Sequence, residues 1–138
     1  MKIDGSCHCG EVRYEAEIDP ARTVICHCTD CQTISGAPYR VNVPASTLEL
    51  RMSGEPRRYV KIGGSGDPVV TAFCGTCGTA LYSCKGENPA FVFLRVGAIR
   101  QRQKLVPTAQ GFCDFALAWA MNITKIPAIS SAHGNGPR

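Results

Sequence analysis

Val69-Val70-Thr71-Ala72-Phe73-Cys74-Gly75-Thr76-Cys77-Gly78-Thr79-Ala80-Leu81-Tyr82-Ser83 reads as two strands joined by a tight, cysteine-bearing turn. Val69 to Phe73 is apolar and β-branched and runs directly into Cys74, and Ala80 to Ser83 leaves just after Cys77-Gly78. The two cysteines therefore sit at the tip of a hairpin. Short Cys-x-x-Cys spacings on such turns bring sulfurs together early, and a zinc ion is held at about 2.3 Å from each sulfur.

Working outward, the same strand texture recurs. Val12, Tyr14, Ala16 and Ile18 alternate with Arg13, Glu15 and Glu17, a half-buried strand ending at Asp19-Pro20. Thr23-Val24-Ile25 leads apolar into Cys26, and Thr29 to Ser35 predicts a short helical turn stopped by Gly36-Ala37-Pro38. Tyr39, Val41 and Val43 alternate, as do Leu48 and Leu50, and Tyr59-Val60-Lys61-Ile62 adds another strand. Phe91 to Val96 is the most hydrophobic strand and is expected to be central, while Ala116 to Met121 reads as a short helix or an irregular segment. The fold class is mainly β, built of short antiparallel strands with little helix. Residues 1–138 read as one zinc-binding domain, with about 128–138 a frayed tail that has nothing to bury.

A hydrophobic share of 44% against 19% charged residues is a globular balance, and no apolar run reaches the ~18 residues that span a bilayer. No membrane partner is expected. Met1 to Cys7 lacks the apolar stretch of a secretory signal, which makes a cytoplasmic location the expectation. The nine cysteines are odd in number and tightly grouped, a pattern that favours metal over disulfides. Seven metal-bound thiolates and two divalent ions together contribute about −3, taking the formal charge of +4 to about +1. That is not the charge of a polyanion binder, so no nucleic-acid partner is expected, although Arg51, Arg57, Arg58, Arg100, Arg102 and Lys104 are basic.

Three cysteine groups are present: Cys7-His8-Cys9-Gly10, Cys26-His27-Cys28-Thr29-Asp30-Cys31 and Cys74-Gly75-Thr76-Cys77-Gly78. Two pairs fill a tetrahedron, whereas a triple leaves one position for water or substrate. Cys7, Cys9, Cys74 and Cys77 are assigned to a closed structural site, because a pair near the N-terminus and a pair on a late hairpin fasten distant parts of a small core. Cys26, Cys28 and Cys31 form the open site. The alternative for the triple is a structural Cys₃His site completed by His8 or His27. Cys84 and Cys113 stand alone and read as small buried apolar residues. Gly63-Gly64-Ser65-Gly66 lacks the Lys-Ser/Thr of a phosphate loop and reads as a turn. Asp30 reads as an N-cap or Asx-turn residue.

Taken together, Gly5 to Tyr14, Cys26 to Gln32 and Phe73 to Leu81 resemble the glutathione-dependent formaldehyde-activating enzyme family, which includes the centromere protein V branch. The resemblance extends from Gly5 to about Pro127, with Trp119 and Ile126-Pro127 where members carry a tryptophan and a Leu-Pro ending. Gln110 stands where many members have histidine. The resemblance implies a β-tent-like fold and two zinc ions per chain, a structural one on Cys7, Cys9, Cys74 and Cys77 and a catalytic one on Cys26, Cys28 and Cys31. The implied activity is addition of the glutathione thiol to formaldehyde, a carbon–sulfur lyase reaction run backwards.

The leading expectation is therefore a zinc-dependent carbon–sulfur lyase-type enzyme acting on a glutathione-like thiol adduct of a small aldehyde. Arg40 and Lys61 are candidates to receive the thiol's carboxylates, against the plainer reading of each as solvated charge on a strand's outer face. The alternatives are a noncatalytic zinc or thiol carrier and a zinc-stapled interaction module.

Overall fold

The computed structural model describes residues 1–129. From residue 130 on, the tail expected to fray lies outside the described residues. The chain is mainly β, and its ten strands form two sheets. The smaller contains β1 (Lys2–Ser6), β2 (Arg13–Glu17) and β5 (Arg51–Ser53), in the order β1-β2-β5. The larger contains β3 (Val24–Cys26), β4 (Arg40–Ser46), β6 (Arg57–Ile62), β7 (Pro68–Phe73), β8 (Ala80–Lys85), β9 (Phe91–Arg95) and β10 (Ala109–Gly111). Its order is β10-β3-β4-β9-β8-β7-β6, so the strongly apolar β9 lies in the middle, as its composition predicts.

Alternation sets the core. In β2, Tyr14 and Ala16 are buried while Arg13, Glu15 and Glu17 face out. Ile3, Tyr14 and Ala16 from the small sheet, with Val12 and Ile18 flanking β2, pack in one cluster with Val43, Ala45, Val92 and Leu94 from the large one. A bridge from Ile18, just past β2, to Ala45 of β4 joins the two sheets, and Gly5 of β1 bridges to Ile99 beyond β9. Val43 pairs with Leu94 and Ala45 with Val92, which puts these four side chains on one face of the large sheet. The neighbouring pair Asn42 and Arg95 projects from the other face. Cys26 pairs with Arg40, two residues from Asn42, and so shares that second face.

The single α-helix among the described residues, α1 (Thr29–Ser35), occupies the predicted residues and ends at Gly36 in the left-handed conformation (φ 64°), which a side chain resists. Ala118–Lys125 is two short 3₁₀ pieces broken at Asn122 (φ −142°, ψ 57°), with no buried residue.

Several expectations need correction. β10 runs parallel to β3, so the strands are not all antiparallel. Leu48 is 95% exposed and lies in the Thr47–Glu49 turn, and the strand falls at Arg51–Ser53 instead. The turn wins because Ser46 Oγ accepts from the Leu48 amide at 3.3 Å and Thr47 Oγ1 donates to the Pro89 carbonyl at 2.9 Å. Cys84 is buried as expected, but Cys113 is exposed, because it opens a 3₁₀ turn that buries nothing. Gly63 to Gly66 is the turn joining β6 to β7, closed by the Gly63 amide on the Asp67 carbonyl at 2.8 Å.

Candidate metal centres

Cys7 begins the turn between β1 and β2, and Cys74 begins the turn between β7 and β8. The two turns are built alike. Cys7 N–H donates to the Val12 carbonyl at 2.9 Å, and Cys74 N–H to the Thr79 carbonyl at 2.9 Å. Gly10 (φ 82°) and Gly78 (φ 73°) take the left-handed step that lets each chain double back. The Val12 amide points at Cys7 Sγ from 3.3 Å, leaving a backbone dipole aimed at the sulfur. Thr79 joins the turns: its hydroxyl accepts from the His8 amide at 3.0 Å and lies 3.2 Å from Cys77 Sγ.

The four sulfurs converge, with one ligand atom from each of Cys7, Cys9, Cys74 and Cys77 within 4.8 Å of all the others. Sγ of Cys7 and Cys9 are 3.5 Å apart, and those of Cys9 and Cys74 are 3.7 Å apart. A tetrahedron with zinc–sulfur bonds of about 2.3 Å has edges of about 3.8 Å, so these separations fit a zinc ion.

The second group also converges within 4.8 Å, on Cys26, Cys28 and Cys31. Cys26 ends β3, Cys28 caps α1 by accepting from the Cys31 amide at 3.3 Å, and Cys31 lies in the first turn. All three are half-buried. No fourth Cys, His, Asp or Glu atom joins them among the described residues.

The thiols of each cluster titrate against one another. In the four-sulfur group the Thr79 hydroxyl and amide pull Cys77 down to about 5. Cys9 is held down by the Glu11 amide, but the neighbouring sulfurs, Cys7 first, outweigh it and push it up to about 12. In the triple, burial pushes Cys26 and Cys31 up. Burial acts the same way on Cys28, but the Cys31 amide and the other two thiols hold it below its ordinary value. Neither donor set ionises completely on its own, and a divalent cation removes that conflict.

His27 is buried, and its Nε2 lies 2.9 Å from Gln110 Oε1 with the ring edge-on to Tyr39 at 5.4 Å. Its backbone amide donates to the Gly111 carbonyl at 3.0 Å, so β10 holds the peptide between Cys26 and Cys28 from both ends of that residue. Gln32 Nε2 adds bonds to the carbonyls of His27 (2.7 Å) and Phe115 (2.9 Å). Neither His27 nor His8 contributes to a sulfur cluster. Asp30 is not the cap of α1, because Cys28 takes that place. Asp30 instead pairs with Lys61 Nζ at 2.5 Å.

Sequence reasoning missed Arg95, and it named Arg40 as a candidate for the thiol's carboxylates beside the plainer reading of solvated charge. Both are buried, at 7% and 5% exposed. Arg95 Nη1 donates to Asn42 Oδ1, and burial followed by the Arg40 charge lowers the Arg95 guanidinium to about 10. The available signal was a charged residue closing the most apolar strand, Phe91–Arg95.

No helix of the chain is long and apolar enough to cross a membrane among the described residues. In a superposition, a crystal structure of a Rhodobacter sphaeroides protein matches with a TM-score of 0.60 at 23% identity, covering 78% of this chain and 98% of that one, a likeness of fold. The chain is 31% identical over 104 residues to a Halomonas elongata protein that carries the name of the glutathione-dependent formaldehyde-activating enzyme family. It is 28% identical over 93 residues to an uncharacterized lyase of Schizosaccharomyces pombe. These alignments cover 72% and 66% of this chain and span 66% and 65% of the two relatives' lengths. The family's own model matches residues 2–115, both sulfur clusters included, and on that match the chain belongs to the glutathione-dependent formaldehyde-activating enzyme family.

Proposed function

We infer that residues 1–138 act as one zinc-binding domain and that the chain is a zinc-dependent carbon–sulfur lyase-type enzyme for thiol adducts of small aldehydes such as formaldehyde. Family membership supports lyase chemistry in general. The observation that carries the finer reading is the inequality of the clusters: four sulfurs converge in one and three in the other. Cys7, Cys9, Cys74 and Cys77 hold a structural zinc, and Cys26, Cys28 and Cys31 hold the reactive one. A zinc ion in the triple supplies Lewis acidity that favours the thiolate of an incoming thiol at neutral pH, where a free thiol of pKa about 8.5 is mostly protonated.

The chain's own residues set the geometry. The amide of Cys31 fixes Cys28 Sγ, and Gln32 and Gln110 hold the backbone and ring of His27, so the three sulfurs converge without further rearrangement. In the forward addition the thiolate sulfur attacks the aldehyde carbon and forms the C–S bond. The C=O π pair moves to oxygen, which takes up the proton the thiol gave up, so the adduct contains every atom of the two reactants. The reverse reaction breaks the same C–S bond. Screening the zinc-loaded chain against glutathione-like thiols and small aldehydes tests the reading. Saturable turnover of an adduct supports it, and thiol binding with no turnover makes the chain a carrier.

A further inference from the structure

Behind the cysteine triple lies a second feature that the metal chemistry does not use. A hollow of about 570 Å³ is lined by Ser35, Tyr39, Arg40, Arg95, Gly97 and Arg102. That volume suits a small-molecule ligand. None of its lining residues is acidic. Arg40 and Arg95 are each more than nine-tenths buried, yet Arg40 Nε and Nη2 and Arg95 Nε have no hydrogen-bond partner.

A buried guanidinium with unmade hydrogen bonds is costly to desolvate, so two side by side call for an acceptor from outside the chain. Asn42 satisfies Nη1 of Arg95 and leaves Nε without a partner. The cysteine sulfurs do not serve, since none lies within hydrogen-bond reach of these N–H groups. A Cβ at Gly97 would meet nothing within 4 Å, so the wall there is open to a ligand.

The β3–β4 pair and helix α1 carry residues of both the hollow and the triple. Cys26 and Arg40 are cross-strand partners on β3 and β4, on one face and about 5 Å apart at Cα. Helix α1 carries Cys31 near its start and Ser35 at its end, where Ser35 lines the hollow.

We propose that Arg40 and Arg95 form an oxyanion subsite, which takes a carboxylate of a small carboxylate-bearing thiol whose sulfur lies at Cys26, Cys28 and Cys31. The planar guanidinium fork matches a carboxylate through paired N–H···O bonds, and Arg102 at the rim adds attraction during entry. The sulfur end of this assignment rests on the lyase reading above. The carboxylate end rests on the arginines themselves.

Calorimetric titration of the zinc-loaded full chain with S-methylglutathione, which keeps both carboxylates but has no ionisable thiol, tests the subsite. Saturable binding is expected, with the diethyl ester of the same compound at least tenfold weaker. Arg40→Gln and Arg95→Gln are each expected to weaken the acid at least tenfold and to leave the ester unchanged. Equal affinity for acid and ester, or binding of neither, overturns the proposal on the wild-type chain alone, whether or not the variants fold. Inorganic phosphate that binds while S-methylglutathione stays out also overturns the carboxylate assignment. Intact carboxylate-dependent binding without turnover of any thiol–aldehyde adduct sinks the lyase reading and leaves the subsite standing. Turnover indifferent to the charge of the thiol does the reverse.

Discussion

Cys9 Sγ and Cys74 Sγ lie 3.7 Å apart although 65 residues separate them, so the first turn of the chain and a late hairpin meet at one cluster. An ion held there joins the small sheet to the large one. The triple spans only Cys26 to Cys31 and joins β3 to the helix that follows it. The two clusters therefore have unequal structural weight. Cys74→Ser is expected to cost more than about 3 kcal/mol, because metal binding at a site assembled from distant segments is folding free energy. Cys28→Ser is expected to cost less than about 1 kcal/mol while releasing one of two bound zinc ions. Metal analysis and urea midpoints on both variants check this, and equal destabilisation would mean that both ions are structural.

Gly5 faces Tyr14 across β1 and β2, and a Cβ at Gly5 would lie 2.3 Å from Tyr14 Cζ and 2.7 Å from the Ala98 carbonyl. Gly5→Ala is expected to cost about 3 kcal/mol, the upper end for an overpacked core, since one of the clashing atoms is backbone. A urea midpoint unchanged from wild type would show that the Tyr14 ring and the Ala98 carbonyl do not approach Gly5 as closely as described.

Tyr14 Oη is buried and has no hydrogen-bond partner, and burial followed by the Asp4 charge raises its phenol above the usual range. The unfolded chain releases this proton near pH 10, while the folded chain keeps it. The stability that Tyr14 contributes is thus complete below about pH 10 and is lost as pH rises past that value. Tyr14→Phe is expected to gain about 1 kcal/mol at pH 8 by removing an unsatisfied polar atom. It is also expected to flatten the fall in stability between pH 9 and 11, read from urea midpoints across that range. A fall as steep as in wild type would place the titrating group elsewhere.

Gln110 Oε1 accepts from the Nε2–H of buried His27. Gln110→Ala leaves that nitrogen unpaired and is expected to cost about 1–3 kcal/mol. Loss of stability without loss of the second zinc is the expected pattern, because His27 lies outside both sulfur clusters. Metal analysis at saturating zinc checks it, and a chain that retains only one ion would make His27 part of the metal site.

What the sequence revealed was what local spacing controls. Both metal knuckles follow from cysteines two or three residues apart on glycine turns, and β2 and β9 follow from alternation and apolar density. The elements that escaped depend on tertiary company. β1, Lys2–Ser6, carries only Ile3 as a large apolar residue, and β10, Ala109–Gly111, forms as a strand by pairing parallel with β3. Leu48 and Leu50 have strand spacing, but side-chain bonds at Ser46 and Thr47 turn the chain first. Arg95, and the burial of the candidate Arg40, escaped for a related reason: charge on a strand reads as solvent-facing until neighbours on both sides bury it. Lys61, the other basic candidate, is tied to Asp30 on the surface.

In the proposed function the Cys26, Cys28 and Cys31 site takes the sulfur of a small thiol. Replacing zinc with cobalt makes this visible, because thiolate-to-cobalt charge transfer absorbs in the near ultraviolet. Adding glutathione is predicted to intensify that band, while S-methylglutathione, bound through its carboxylates alone, leaves it unchanged. Identical spectra with the two compounds would contradict the account and leave the triple a structural site.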